Sequence, residues 1–259
     1  MTNCEIINHS LTSKYSMMKM KLFLFSVALL FGAFSLKAAD SVSHSEWDAL
    51  LKKYVTSAGK VDYEGFKTDK AKLQKYCDLL SDNKPKSTWT SDQKKAYWMN
   101  AYNAFAVLLV VNNYPVESIK DIGSWGKDVW DMKFFKIGGT EMSLSHIEHK
   151  ILRADYKDPR IHAGINCASY SCPNLYNKAF TEDNVEEALT KLMKDFVNDR
   201  LKNKITESSI QISEIFKWFK EDFTKNQTLI EFLNKYSAVS IKKDAKISYM
   251  KYNWTMNKK

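Results

Sequence analysis

From residue 45 onward the apolar positions fall mostly at helical spacing. In SEWDALLKKYV, Trp47, Leu50, Leu51 and Tyr54 share one face, and KAKLQKYCDLL sets Leu73, Tyr76, Leu79 and Leu80 along a second stripe that also carries Cys77. The stretch SDQKKAYWMNAYNAFAVLLVVNNYP is hydrophobic all round from Ala104 to Val111. It predicts a central buried helix with Ser91 as N-cap and Pro115 just beyond its end. Asn100 and Asn103 share one face of that helix, and amides in so apolar a setting need partners, either nearby backbone or a ligand. A further long helix runs from Val185 to Leu201 with Leu189, Leu192, Met193, Phe196 and Val197 inward; LSHIEHKILR after Ser143, EIFKWFKEDF and TLIEFLNKY are shorter ones. Strand signals are fewer. VDYEGF and RIHAGI read as extended, KFFKIGGTEMSL and KITESSIQIS as hairpins, and the alternating end VSIKKDAKISYMKYNW as an edge strand. The sum is an α+β fold, a helix-rich single domain with a small antiparallel sheet, over residues 40–259.

The N-terminal part follows a different pattern. Lys19 and Lys21 precede an apolar run from Leu22 to Leu36, and Ala38 and Ala39 follow, which reads residues 1–39 as an N-terminal extension and secretory signal peptide. That run is shorter than the ~20 residues a spanning helix needs, so no stable membrane span is expected after signal cleavage, and the protein is expected to be exported, periplasmic or extracellular. Its formal charge is +9 and stays positive once Lys14, Lys19, Lys21, Lys37 and Glu5 are lost. Lysines alternate with acids along the rest of the chain instead of clustering, a pattern that argues against nucleic acid as a partner.

Three cysteines remain after residue 39, Cys77, Cys167 and Cys172, too few for a disulfide scaffold. The segment RIHAGINCASYSCP concentrates the chemistry. Its Cys167 and Cys172 suit a small disulfide ring, a structural zinc site completed by His149 and His162, or a reactive thiol. A nucleophilic thiol needs a proton acceptor, because a free cysteine with pKa ~8.5 is only slightly ionised at neutral pH. His149, from a separate helix, is the freer candidate base. His162 reaches Cys167 only if the chain turns at Asn166, since a strand would put the two on opposite faces. Glu148 either orients an imidazole or pairs with Arg153 or Arg160. Asn166 and the small polar residues after Cys167 offer donors for an oxyanion, while Cys172, held extended by Pro173, is a secondary thiol.

The pieces AYWMNAYNAFAV, NYPVESIKDIG, LSHIEHKILR, DPRIHAGINCASYSCPNL, ISEIFKWFKEDF and ISYMKYNWTMN together resemble the domain of unknown function 547 family. The resemblance implies a thiol-peptidase (papain)-like core with rearranged order, His149 preceding Cys167, with Glu148, His162, Asn100 and Asn103 at matching motif positions. The leading expectation is an exported cysteine hydrolase or acyl transferase acting on a peptide or cell-envelope amide or thioester. In it Cys167 is the nucleophile and His149 the base, Glu148 or His162 orients the imidazole, Asn166 donates to the oxyanion, and no cofactor or metal takes part. The alternatives are a non-catalytic envelope binding module and the structural zinc site.

Overall fold

The apolar helix Ser91–Asn113 is a packing centre for several of the other elements. The computed structural model describes residues 41–123 and 128–259, and Asp40–Lys259 forms one compact unit. The extension and signal peptide expected over residues 1–39 lie outside the described residues. The helices before the site are α1 (Ser45–Tyr54), α2 (Tyr63–Thr68), α3 (Lys70–Asp82) and α4 (Ser91–Asn113). Helix α4 starts one residue earlier than its apolar pattern suggests. The cap is Thr90, whose hydroxyl accepts from the Gln93 amide at 3.1 Å while the Gln93 side chain accepts from the Thr90 amide at 2.9 Å. Every residue from Lys95 to Val111 is buried, and α2, α3 and a later π-helix all pack against α4.

Strands β1 (Phe135–Ile137) and β2 (Thr140–Met142) form the first hairpin, pairing Phe135 with Met142 around Gly138 and Gly139, both at positive φ. A π-helix, His146–Tyr156, follows, and Ser143 accepts the His146 amide at its start. Then come α5 (Ile161–Gly164), α6 (Val185–Asn198), β3 (Lys204–Ile205), β4 (Ser209–Ser213), α7 (Ile215–Trp218), α8 (Lys220–Thr224), α9 (Leu229–Asn234) and β5 (Lys246–Met250). Strands β3 and β4 are antiparallel, as the second hairpin predicts, but β5 pairs with β4 in parallel. Three helices lie between β4 and β5, and such a crossover returns the chain in the same direction. Among the described residues no helix is long and apolar enough to cross a membrane.

Two extended readings are corrected. In VDYEGF only Val61 forms β-bridges; Asp62 caps α2 by accepting the Gly65 amide at 2.8 Å. RIHAGI is helical over Ile161–Gly164 and buried on all sides, so its alternation has no solvent face to report. Leu79, expected inward, is 39% exposed, and Leu201, expected to end the long helix, lies beyond the end of α6, which stops at Asn198.

α5 is short because it is wedged between α4 and α6. A Cβ on Gly164 would sit 2.2 Å from Met99 Cε and 2.7 Å from Leu189 Cδ2. Gly164→Ala is therefore expected to cost about 1–3 kcal/mol through overpacking, read as a lower urea midpoint. An unchanged midpoint would show that Met99 and Leu189 move aside freely.

The C-terminal segment is threaded across the site. Asn257 N donates to Ala168 O, Tyr170 N to Thr255 O and Met256 N to Glu117 O, so residues 252–257 lie beside the loop after Cys167.

Candidate active site

Two asparagines of α4 determine where the Cys167 segment runs. Asn103 Nδ2 donates to Gly164 O at 2.9 Å and its Oδ1 accepts from Asn166 N at 2.9 Å. Asn100 does the same for Phe180, at 2.8 and 3.0 Å. Both amides are thus engaged by buried backbone. Asn166 is also turned inward. Its Nδ2 donates to Pro173 O, and its Oδ1 accepts from Ala168 N and Asn257 Nδ2. The oxyanion role expected of Asn166 is replaced by that of a clamp on the loop.

Held this way, Cys167 reaches the wall of a cavity of about 350 Å³. Its Sγ lies 3.1 Å from Ser169 Oγ and 3.3 Å from Tyr252 Oη, and its own amide donates to Cys172 Sγ at 3.0 Å. Ala168 adopts φ +61, the left-handed region a residue with Cβ seldom takes, immediately after the thiol. Hydrogen bonding from Cys172, then from Ser169 and Tyr252, outweighs burial and holds the Cys167 thiol below its ordinary value. Burial pushes Cys172 up, so it stays a thiol. Cys77, Cys167 and Cys172 are all free, and Cys77 is a core residue of α3.

The π-helix brings Glu148 and His149 to the same cavity, and α5 brings His162. Glu148 is nine-tenths buried, and its carboxyl is pushed up to about 7, first by that burial and then by the charge of Cys167; the Arg153 charge and the Tyr102 hydroxyl offset only part of this. It forms an ion pair with neither arginine expected for it. Arg153 makes a bidentate contact with Asp222 at 2.6 and 2.9 Å, and Arg160 binds Asp158 and Glu186. The cation-capable group that comes within 4 Å of Glu148 is His162, whose Nδ1 lies 3.9 Å from its Oε1.

The two histidines differ in their restraints. His149 Nδ1 lies 3.1 Å from Arg153 Nη1, a donor only, so that nitrogen accepts; burial and the adjoining guanidinium lower its pKa. His162 Nε2 lies 2.7 Å from Asp222 Oδ2, and its ring stacks on Phe219 with centroids 4.0 Å apart. Asp222 is kept well below the carboxylate range by His162 and Arg153 despite partial burial. Burial in turn keeps His162 neutral, with Nε2–H donating to Asp222 and the Nδ1 lone pair turned toward Glu148. Asp222 and His162 are thus hydrogen-bonded, His162 approaches Glu148, and Glu148 and Cys167 line the same cavity.

Asp222, Tyr252 and the neighbouring Trp218 and Trp254 were not legible as site residues. Asp222 is one acid in the charged run KED, and Tyr252 and Trp254 lie on a tail that reads as strand; their only signal is the aromatic density of KYNW. Among the described residues no group of three or more His, Cys, Asp or Glu side chains is arranged to hold a metal ion, and His149 and His162 are engaged by Arg153 and Asp222.

Fold and cavity together define a helix-rich α+β protein with a thiol set in a pocket of acids and aromatic rings. The family described as "Protein of unknown function, DUF547" matches residues 86–197, the segment over which the chain is similar to that family. The match takes in Glu148, His149, His162, Cys167 and Cys172 and ends before Asp222 and Tyr252. No curated protein and no solved structure matches the chain.

Proposed function

We propose that this protein is an exported thiol hydrolase or acyl transferase in which Cys167 attacks an amide or thioester carbonyl. One observation carries the reading: the Cys167 sulfur lines a cavity, 3.1 and 3.3 Å from the Ser169 and Tyr252 hydroxyls, and a buried carboxyl that titrates near neutrality, Glu148, lines the same cavity. A low-pKa thiol beside a group poised for proton transfer is the pairing that nucleophilic catalysis requires. Export rests on the basic start and apolar run that end near Ala39.

In this reading the proton carrier is Glu148 in place of His149. The Cys167 thiolate forms a bond to the carbonyl carbon, and Ser169 and Tyr252 turn their hydroxyls from sulfur to the developing oxyanion. As the C–N bond breaks, the Glu148 carboxyl gives its proton to the departing amine. A water then loses a proton to the Glu148 carboxylate as it attacks the thioester, and Cys167 leaves as thiolate. His162, set by Asp222, is a positioning residue behind Glu148, and His149 faces the substrate side of the cavity. The thiol-peptidase-like architecture with rearranged order belongs to this same proposal, since Glu148 and His162 precede the nucleophile and Asp222 follows it.

Two measurements test it. With p-nitrophenyl acetate the full chain is expected to acquire one acetyl group on Cys167, visible by mass spectrometry, that turns over in the parent and accumulates in Glu148→Gln. Absence of acetyl-Cys167 would leave only the binding-module reading. Iodoacetamide is expected to modify Cys167 at least one pH unit below the ~8.5 of a free thiol, while Cys77 and Cys172 stay unmodified in the native state. Tyr252→Phe is expected to shift that profile upward and His149→Ala to leave it in place. The opposite pattern would restore His149 as the thiol's partner.

A further inference from the structure

The charge of the cavity runs against that of the chain. The protein carries 39 lysines and arginines against 30 acids, yet Asp128, Asp131 and Glu148 line the cavity, and among the described residues no lysine or arginine does. Glu148 is nine-tenths buried at the cavity wall, and among the described residues no lysine or arginine forms an ion pair with it. An anionic lining in a basic protein selects a cationic ligand, because each carboxylate there disfavours an anion and gains from an ammonium.

Much of the remaining lining is aromatic. Trp254 lies at its centre, with Tyr252 at 4.4 Å, Trp130 at 5.4 Å and Trp218 at 5.8 Å between ring centroids. Trp218 is 45% exposed, an unusual position for so large an apolar ring unless something covers it. Indole and phenol faces carry the negative end of the ring quadrupole and attract cations. Trp254 already holds one, the Lys120 ammonium 4.3 Å from its centroid. The wall runs from the thiol outward: Tyr252 bonds Cys167, Trp254 adjoins Tyr252, and Trp130 adjoins Trp254 between the two aspartates of its own 3₁₀ turn.

We propose that the cavity binds a substrate bearing an alkylammonium group, held between the Trp130, Trp254, Tyr252 and Trp218 rings and the Asp128 and Asp131 carboxylates. Its reacting carbonyl lies a few aliphatic carbons inward, at Cys167. This names the substrate class of the thiol site and rests on that reading only for the position of the carbonyl; the ammonium subsite stands by itself.

The experiment uses the full chain carrying Cys167→Ser, so that no acyl chemistry intervenes, and follows tryptophan fluorescence. Hexylammonium chloride, 1-hexanol, sodium hexanoate and N-acetylglucosamine are titrated separately. Hexylammonium is expected to bind about tenfold tighter than hexanol, in keeping with cation–π and charge-assisted contacts at a partly desolvated site. That advantage is expected to vanish in Asp128→Asn/Asp131→Asn, where the asparagine oxygen introduced at position 128 still accepts from the Trp130 amide. Equal binding of hexanol, or tighter binding of hexanoate or of the sugar, would overturn the proposal. An ammonium preference in a protein that never forms acetyl-Cys167 would defeat the enzyme reading and leave the subsite standing; acetylation without the preference would do the reverse.

Discussion

Between pH about 5 and about 8 the folded parent is expected to lose about 3 kcal/mol of stability relative to Glu148→Gln, read as the difference between the two curves. The sign follows from the direction of the shift. Glu148 titrates near 7 in the folded protein against an ordinary 4.5, chiefly because burial penalises the charged form. Between those values the folded chain keeps a proton that the unfolded chain has lost, so stability declines as pH rises through this window and the penalty is complete above about 7. The glutamine amide cannot ionise and removes the decline. Urea unfolding at stepped pH reads the difference between parent and variant curves; a difference below about 1 kcal/mol would mean that Glu148 titrates as a solvated carboxyl and is no proton carrier near neutrality. The same residue would thus lower stability where it serves the reaction, a trade common at functional sites.

Asn103→Leu is the second substitution with a large expected effect. It leaves the Asn166 amide and the Gly164 carbonyl buried without partners, at about 1–3 kcal/mol each. A loss of about 2–5 kcal/mol is therefore expected in urea unfolding. Asn100→Leu orphans two Phe180 backbone groups in the same way and is expected to cost as much. The pair separates stability from function. Asn103 clamps the segment that leads into Cys167 and Asn100 does not, so only Asn103→Leu is expected to move the Cys167 alkylation profile toward that of an ordinary thiol. Equal profiles in the two variants would show that the loop is held by Asn166 and Asn257 without help from α4.

The helices were legible along the chain because apolar spacing reports directly which face is buried. The stripes of α1 and α6 and the all-round burial of α4 came out as read, and so did both hairpins, the first of which turns at Gly138 and Gly139. Helix α5 was misread because RIHAGI is buried on every side, and periodicity carries no information where no face meets water. The parallel pairing of β5 with β4 depends on the path taken by the intervening helices, which no local pattern records.

The site divides along the same line. Residue type and short spacing were enough to mark Cys167, Glu148, His149 and His162 as one neighbourhood, because the chemistry of a thiol, a carboxyl and an imidazole is a property of the side chains themselves. Their surroundings were decided by packing: Arg153 engages His149, Asp222 engages His162, and Glu148 is buried with no lysine or arginine among the described residues paired to it. Asp222 and Tyr252 lie 55 and 85 positions beyond Cys167, and contacts across such distances arise only when the chain is folded. A pKa or a hydrogen bond belongs to the surroundings of a group, and those surroundings exist only in three dimensions.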